Sequence, residues 1–152
     1  MADSKKEWVL KAFKGERVDK VPVGFWYHFL AEEEFGQGLD NPKLFKKNLQ
    51  GHQKFIKEVD PDFIKLMSDG FFTYPNELIH TNVTSIQELA NISSIGENHP
   101  WFDQQVQLVK AIKESFTEDI VAIYNIFSPV TYLKWQLSGQ VAHGDGIIAQ
   151  FL

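Results

Sequence analysis

The 152-residue sequence contains no cysteine, which excludes a disulfide framework and a thiolate metal site within this chain. Arginine is almost missing as well. Arg17 is the sole arginine among 15 basic residues, and these are outweighed by 20 acidic ones to a formal net charge of −5. The lysines are scattered, so the clustered positive face that a phosphate backbone requires is not present, and nucleic-acid binding is not expected. No apolar run approaches the roughly 18 residues of a membrane-spanning helix. The opening Met-Ala-Asp-Ser-Lys-Lys-Glu is polar where a secretory leader would be apolar. These absences point to a cytoplasmic chain with no membrane partner.

What is abundant is bulky apolar material. The hydrophobic fraction is 43%, with 13 Phe and 4 Trp, enough for a packed core in one domain of ordinary size.

Local signals divide the chain. Ser4-Lys5-Lys6-Glu7 forms a capping box, which predicts a helix to about Lys14 with Gly15 as its stop. Val21-Pro22-Val23-Gly24-Phe25-Trp26 reads as a first strand, with Pro22 at its entry because proline has no N–H to donate. Asn41-Pro42 supplies a cap and a first helical residue. Phe45, Leu49, His52, Ile56 and Val59 then follow at steps of four, three, four and three, one helical stripe. A histidine within such a stripe reads as a hydrogen-bonded core residue. Phe63 to Ser68 is a short apolar run ending in Ser68-Asp69-Gly70, a buried strand that delivers one carboxylate into a loop.

Beyond it, Ser85-Ile86-Gln87-Glu88 is a second capping box over a short turn, and residues 93–98 read as loop. His99-Pro100 opens a helix with Trp101, Leu108, Val109, Ile112 and Phe116 on one face. Asp119 to Phe127 is rich in β-branched and aromatic residues and reads as a third strand. Ser128-Pro129 opens a helix that ends near Gly139. His143 to Gly146 reads as a link, and Ile147 to Leu152 as the start of a further element.

Apolar strands separated by helices predict an α/β fold with a parallel sheet and right-handed crossovers. Three βα units would leave long unpaired edges. The expectation is therefore an incomplete barrel: residues 1–152 as the N-terminal part of a (β/α)8 TIM barrel domain, whose full circle needs about 250 residues. A small open α/β domain standing alone is the other reading. A third is a non-catalytic piece stable only as an oligomer, for which a homodimer is the simplest form.

Several motifs resemble the uroporphyrinogen decarboxylase superfamily, and together they cover nearly the whole chain. Gly15-Glu16-Arg17-Val18-Asp19-Lys20-Val21-Pro22 is similar to the family's link between first helix and first strand. Ser68-Asp69 followed by Pro75 looks like its second-strand motif, and Pro129-Val130-Thr131 with Gly139 resembles the Pro-x-Thr helix and its glycine. The resemblance implies a barrel enzyme whose full-length form decarboxylates a small molecule, a tetrapyrrole or a relative of one, without a cofactor. This portion alone would be inactive. It also implies that Asp69 is catalytic, facing pyrrole N–H groups and stabilising a cationic intermediate, as a carboxylate suits. The competing branch of the superfamily is the corrinoid-dependent methyltransferases, whose zinc ligands would lie beyond residue 152.

Two departures stand out. The decarboxylases carry arginines just after the first strand to clamp carboxylates; here the residues are Phe25-Trp26-Tyr27-His28-Phe29. The position of the family's active-site tyrosine falls on Trp135. Substrate-binding candidates are therefore Trp26, Tyr27, His28, Tyr74, Asn125 and Trp135, with His28 donating hydrogen bonds where an arginine would sit. The plain alternatives are that the aromatics are core, that His28 is a solvated loop residue, and that Asp69 only caps a turn. His80, His99 and His143 lack metal-ligand spacing, and no metal is assigned to this chain.

Overall fold

In a computed structural model, which describes residues 4–116, 120–139 and 145–149, helix α1 (Lys5–Phe13) begins at the capping box. Ser4 accepts from the Glu7 N–H, and the Glu7 side chain accepts from Ser4 N–H in return. Gly15, at φ 74°, follows the helix. Helix α2 (Pro42–Val59) starts at Asn41, whose side chain accepts from the Lys43 N–H. It ends at Asp60, a non-glycine residue held in the left-handed region at φ 47°, with its carboxylate 2.6 Å from the Lys5 ammonium. Strand β1 (Phe63–Leu66) follows. Helix α3 (Pro100–Glu114), strand β2 (Val121–Tyr124), helix α4 (Pro129–Ser138) and the single turn α5 (Asp145–Ile148) complete the order.

β1 and β2 pair in parallel, Phe63 against Val121 through Leu66 against Tyr124. Because side chains alternate across a strand, Ile64 and Leu66 point to one face and are buried there. They form the main core with Phe55 of α2, Trp101, Leu108 and Ile112 of α3, and Phe71. A satellite core joins Val83, Leu89 and Leu137. Burial of each such side chain contributes about 1.5–3 kcal/mol, so the face shared by α2, α3 and the sheet is the centre of stability.

The expected set of three βα units is not formed. The described residues hold a two-stranded sheet, and no barrel or part-barrel is seen. The departure lies at residues 21–26, which form no ladder. Pro22 has no N–H, and Val21, Val23, Phe25 and Trp26 stay exposed. One clasp replaces the strand pairing: Asp62 N–H donates to the Val23 carbonyl (3.0 Å), and Val23 N–H donates to the Asp62 carboxylate (2.8 Å). A side chain thus takes the acceptor position that a neighbouring strand would have supplied. Among the described residues no helix is long and apolar enough to cross a membrane.

Candidate functional site

At the end of β1 the chain turns sharply. Ser68 accepts from the Phe71 N–H at 2.7 Å, and residues Asp69–Phe71 form a 3-10 turn. This places the Asp69 side chain under the segment that follows the unpaired stretch 21–26. The carboxylate has no exposed surface. Its Oδ2 accepts from the backbone N–H of Phe29 (2.7 Å) and of Leu30 (3.2 Å), and its Oδ1 lies 2.9 Å from His28 Nδ1. A buried charge without partners is costly, and three donors make this one tolerable.

A carboxylate oxygen can only accept, so His28 Nδ1 must carry the proton in this pair. Nε2 is left as the free nitrogen. The imidazole is half exposed and rests against the rings of Phe35 (4.8 Å between centroids) and Phe72 (5.9 Å). Phe35, Phe72 and Trp135 line a cleft of about 450 Å³ that also meets Glu32, Glu33, His80 and Gln136.

The loop carrying His28 is fixed from several sides. Glu34 accepts from the Ala31 N–H (2.7 Å) and from Lys47 of α2 (2.5 Å), and the Lys47 contact, followed by the Ala31 one, holds the Glu34 carboxyl below its usual range. Further on, Gly36 N–H donates to the Asp69 carbonyl (2.9 Å) and Gly38 N–H to the Gly70 carbonyl (2.7 Å). Gly38 is required by proximity: a Cβ there would lie 2.6 Å from the Gly70 oxygen. Gly36 is required by its φ of 76°.

Behind the carboxylate stands His52, with no exposed surface. Its Nε2 accepts from the Met67 N–H (2.9 Å), which leaves Nδ1 to donate to the Asn48 carbonyl (2.9 Å). Burial pushes its pKa down to about 4, against the opposite pull of the Asn48 carbonyl and the Asp69 charge. The histidine of the α2 stripe is thus a neutral structural group that ties α2 to the exit of β1. On the sheet's other face, Lys65 lies with its ammonium 5.1 Å from the Trp26 ring centroid. Burial lowers its pKa, and the charge of Asp69 offsets part of that.

The residues singled out by sequence fall into three places. Asp69, His28 and Trp135 share one neighbourhood, the last through Phe72, whose ring centroid is 5.5 Å from that of Trp135. Tyr74 and Asn125 line a second, larger cleft; the Tyr74 ring meets Trp101, and the Tyr74 carbonyl accepts from Gln136 (2.7 Å). Trp26 and Tyr27 are more than half exposed, Tyr27 lying edge-on to Phe55. The strand tips therefore do not gather all seven at one rim. His143 lies outside the described residues. Phe35, Phe72, Glu32, Glu33 and the two glycines were not legible as site residues. Their only sequence signal was Gly-x-Gly at 36–38, which marks a close backbone approach without saying to what.

Among the described residues no three His, Asp or Glu side chains gather as a metal-holding group. Comparison with models of protein families, with curated proteins and with solved structures found no match.

Proposed function

We propose that this chain carries the proton-handling pair of a decarboxylase-like carboxy-lyase, with Asp69 and His28 acting as a unit on an unsaturated nitrogen heterocycle related to a pyrrole. The observation behind it is the Asp69–His28 hydrogen bond beside an aromatic-walled cleft. The resemblance of the Ser68-Asp69 and Pro129-Val130-Thr131 motifs to uroporphyrinogen decarboxylases supports the choice of reaction.

Loss of carbon dioxide from a carboxylated electron-rich ring needs a proton placed on carbon. Protonation of the ring carbon that bears the carboxylate makes the ring cationic; the bond to the carboxylate then breaks with its electron pair restoring the ring, so that carbon dioxide leaves and the added proton stays on the carbon. His28, as imidazolium, delivers that proton from Nε2 and is reprotonated from solvent for the next turnover. Asp69 holds the imidazole in one tautomer and supplies a fixed negative charge near both the imidazolium and the cationic ring. Its influence reaches the substrate through His28, because its own oxygens are enclosed. Phe35, Phe72 and Trp135 offer flat apolar walls to a planar ring. Glu32 and Glu33 at the same cleft disfavour a substrate with many carboxylates, in keeping with the missing arginines.

The test is carbon dioxide release from pyrrole carboxylates by the whole protein that carries this chain. Asp69→Asn and His28→Gln are each expected to lower turnover by at least about a hundredfold. Undiminished turnover in either variant would remove the pair from the mechanism.

A further inference from the structure

The cleft beside His28 carries a charge pattern that the proposed reaction does not use. Three consecutive glutamates form a 3-10 turn, Glu32–Glu34, and only one of them is neutralised. Glu34 takes Lys47 (2.5 Å) and the Ala31 N–H (2.7 Å). Glu32 and Glu33 line the cleft, and among the described residues neither carboxylate has an ion-pair or hydrogen-bond partner. No described lysine or arginine lines it. His80, also in the lining, accepts from the Asn82 N–H at Nδ1 (3.2 Å), and in that arrangement it adds no positive charge.

A second part of the wall is aromatic. Phe72 meets Phe35 (5.3 Å between centroids, 77°) and Trp135 (5.5 Å, 60°), so the three rings form a corner rather than a stack. Two polar groups of the lining residues lack partners. Trp135 is more than nine-tenths buried, yet its indole N–H meets no acceptor. Gln136 donates its amide N–H to the Tyr74 carbonyl (2.7 Å), which leaves its Oε1 a buried acceptor without a donor. Buried polar groups in this state call for a further partner.

We infer that the cleft binds a planar heteroaromatic ring bearing an ammonium arm, with the arm toward Glu32 and Glu33 and the ring among Phe35, Phe72 and Trp135. The inference deepens the carboxy-lyase reading by naming its substrate class, and it rests on that reading for the reaction alone. Aromatic faces attract cations through the ring quadrupole, and two unpaired carboxylates add to the same preference. Gln136 Oε1 accepts a further N–H of the ligand, and the Trp135 N–H suits an oxygen of its carboxylate. The glutamates repel that carboxylate, so the two charged ends fix the direction in which the ring enters. A neutral ring gains the aromatic contacts without the charge attraction, so selectivity is the property to measure.

Calorimetric titration of the whole protein at neutral pH tests this with three indoles of related framework: tryptamine (cation), tryptophol (neutral) and indole-3-acetate (anion). Tryptamine is expected to bind about tenfold more tightly than tryptophol, and indole-3-acetate more weakly than either. Glu32 and Glu33 are exposed, so the double variant Glu32→Gln/Glu33→Gln leaves the core untouched, and circular dichroism checks its fold. In that variant tryptamine and tryptophol should bind within about threefold of each other. Equal affinities in the wild type, a preference unchanged in the double variant, or no binding of tryptamine would overturn the inference. Carbon dioxide release is read separately. Cation selectivity without decarboxylation would sink the carboxy-lyase reading alone, and decarboxylation without cation selectivity would sink only this one.

Discussion

His28 Nδ1 lies 2.9 Å from the Oδ1 of Asp69, while the other oxygen of the same carboxylate accepts from the two backbone amides that follow His28. One side chain thereby sets both the course of a loop and the orientation of the imidazole at its start. The two roles separate under mutation.

Asp69→Asn keeps the size of the side chain but removes the charge from a site where three donors converge. It is expected to destabilise the fold by about 2 kcal/mol. His28→Gln removes a half-exposed ring and should cost less than about 1 kcal/mol. Urea unfolding of the two variants gives the comparison. Equal costs would mean that His28 is as structural as Asp69.

His52 should make stability depend on pH. Its pKa is about 4 in the folded chain and 6.5 when unperturbed, so between these values the unfolded chain binds more protons. Stability is therefore full above pH 6.5, falls as the pH drops toward 4, and levels off below it. The loss from this group is about 3 kcal/mol. In His52→Gln, melts recorded at pH 7 and pH 4 should differ by correspondingly less than in the wild type. An equal acid slope in both proteins would assign the effect to other groups.

Gly38 is the most sensitive glycine for the site. Its φ does not need glycine, but the approach of its Cα to the Gly70 backbone does. Gly38→Ala should push the 36–38 segment off the Asp69 turn and cost about 1–3 kcal/mol. Gly96→Ala, with φ 79° but open space around it, should cost only about 1 kcal/mol. Thermal unfolding distinguishes them, and similar costs would show that the close approach is not held.

These relationships explain which parts of the molecule were readable from its residues. Helix ends were legible because a cap is a local event: Ser4 with Glu7, Asn41 with Pro42, His99 with Pro100 and Ser128 with Pro129 all start turns where expected. The α2 stripe was off by about one position. Phe45, Leu49 and Ile56 are only partly buried while Leu44, Asn48 and Phe55 go inside, because the face that packs is chosen by β1 and the Asp69 turn. The expected strand at 21–26 failed for a similar reason. Its composition suits a strand, but ladder formation depends on a neighbour, and Asp62 occupies Val23 instead. The buried Asp69 could be seen as the carboxylate to watch. Its partnership with His28, 41 residues earlier in the chain, could not, because nothing local links the two positions.

The most direct test of the account is the tautomer of His28, read from the long-range proton–nitrogen correlations of its imidazole by NMR at a pH where the ring is neutral. The structure predicts a proton on Nδ1 and a bare Nε2, with that preference lost in Asp69→Asn. A proton on Nε2 and none on Nδ1 in the wild-type protein would contradict it, since Nδ1 would then have no proton to donate to Asp69.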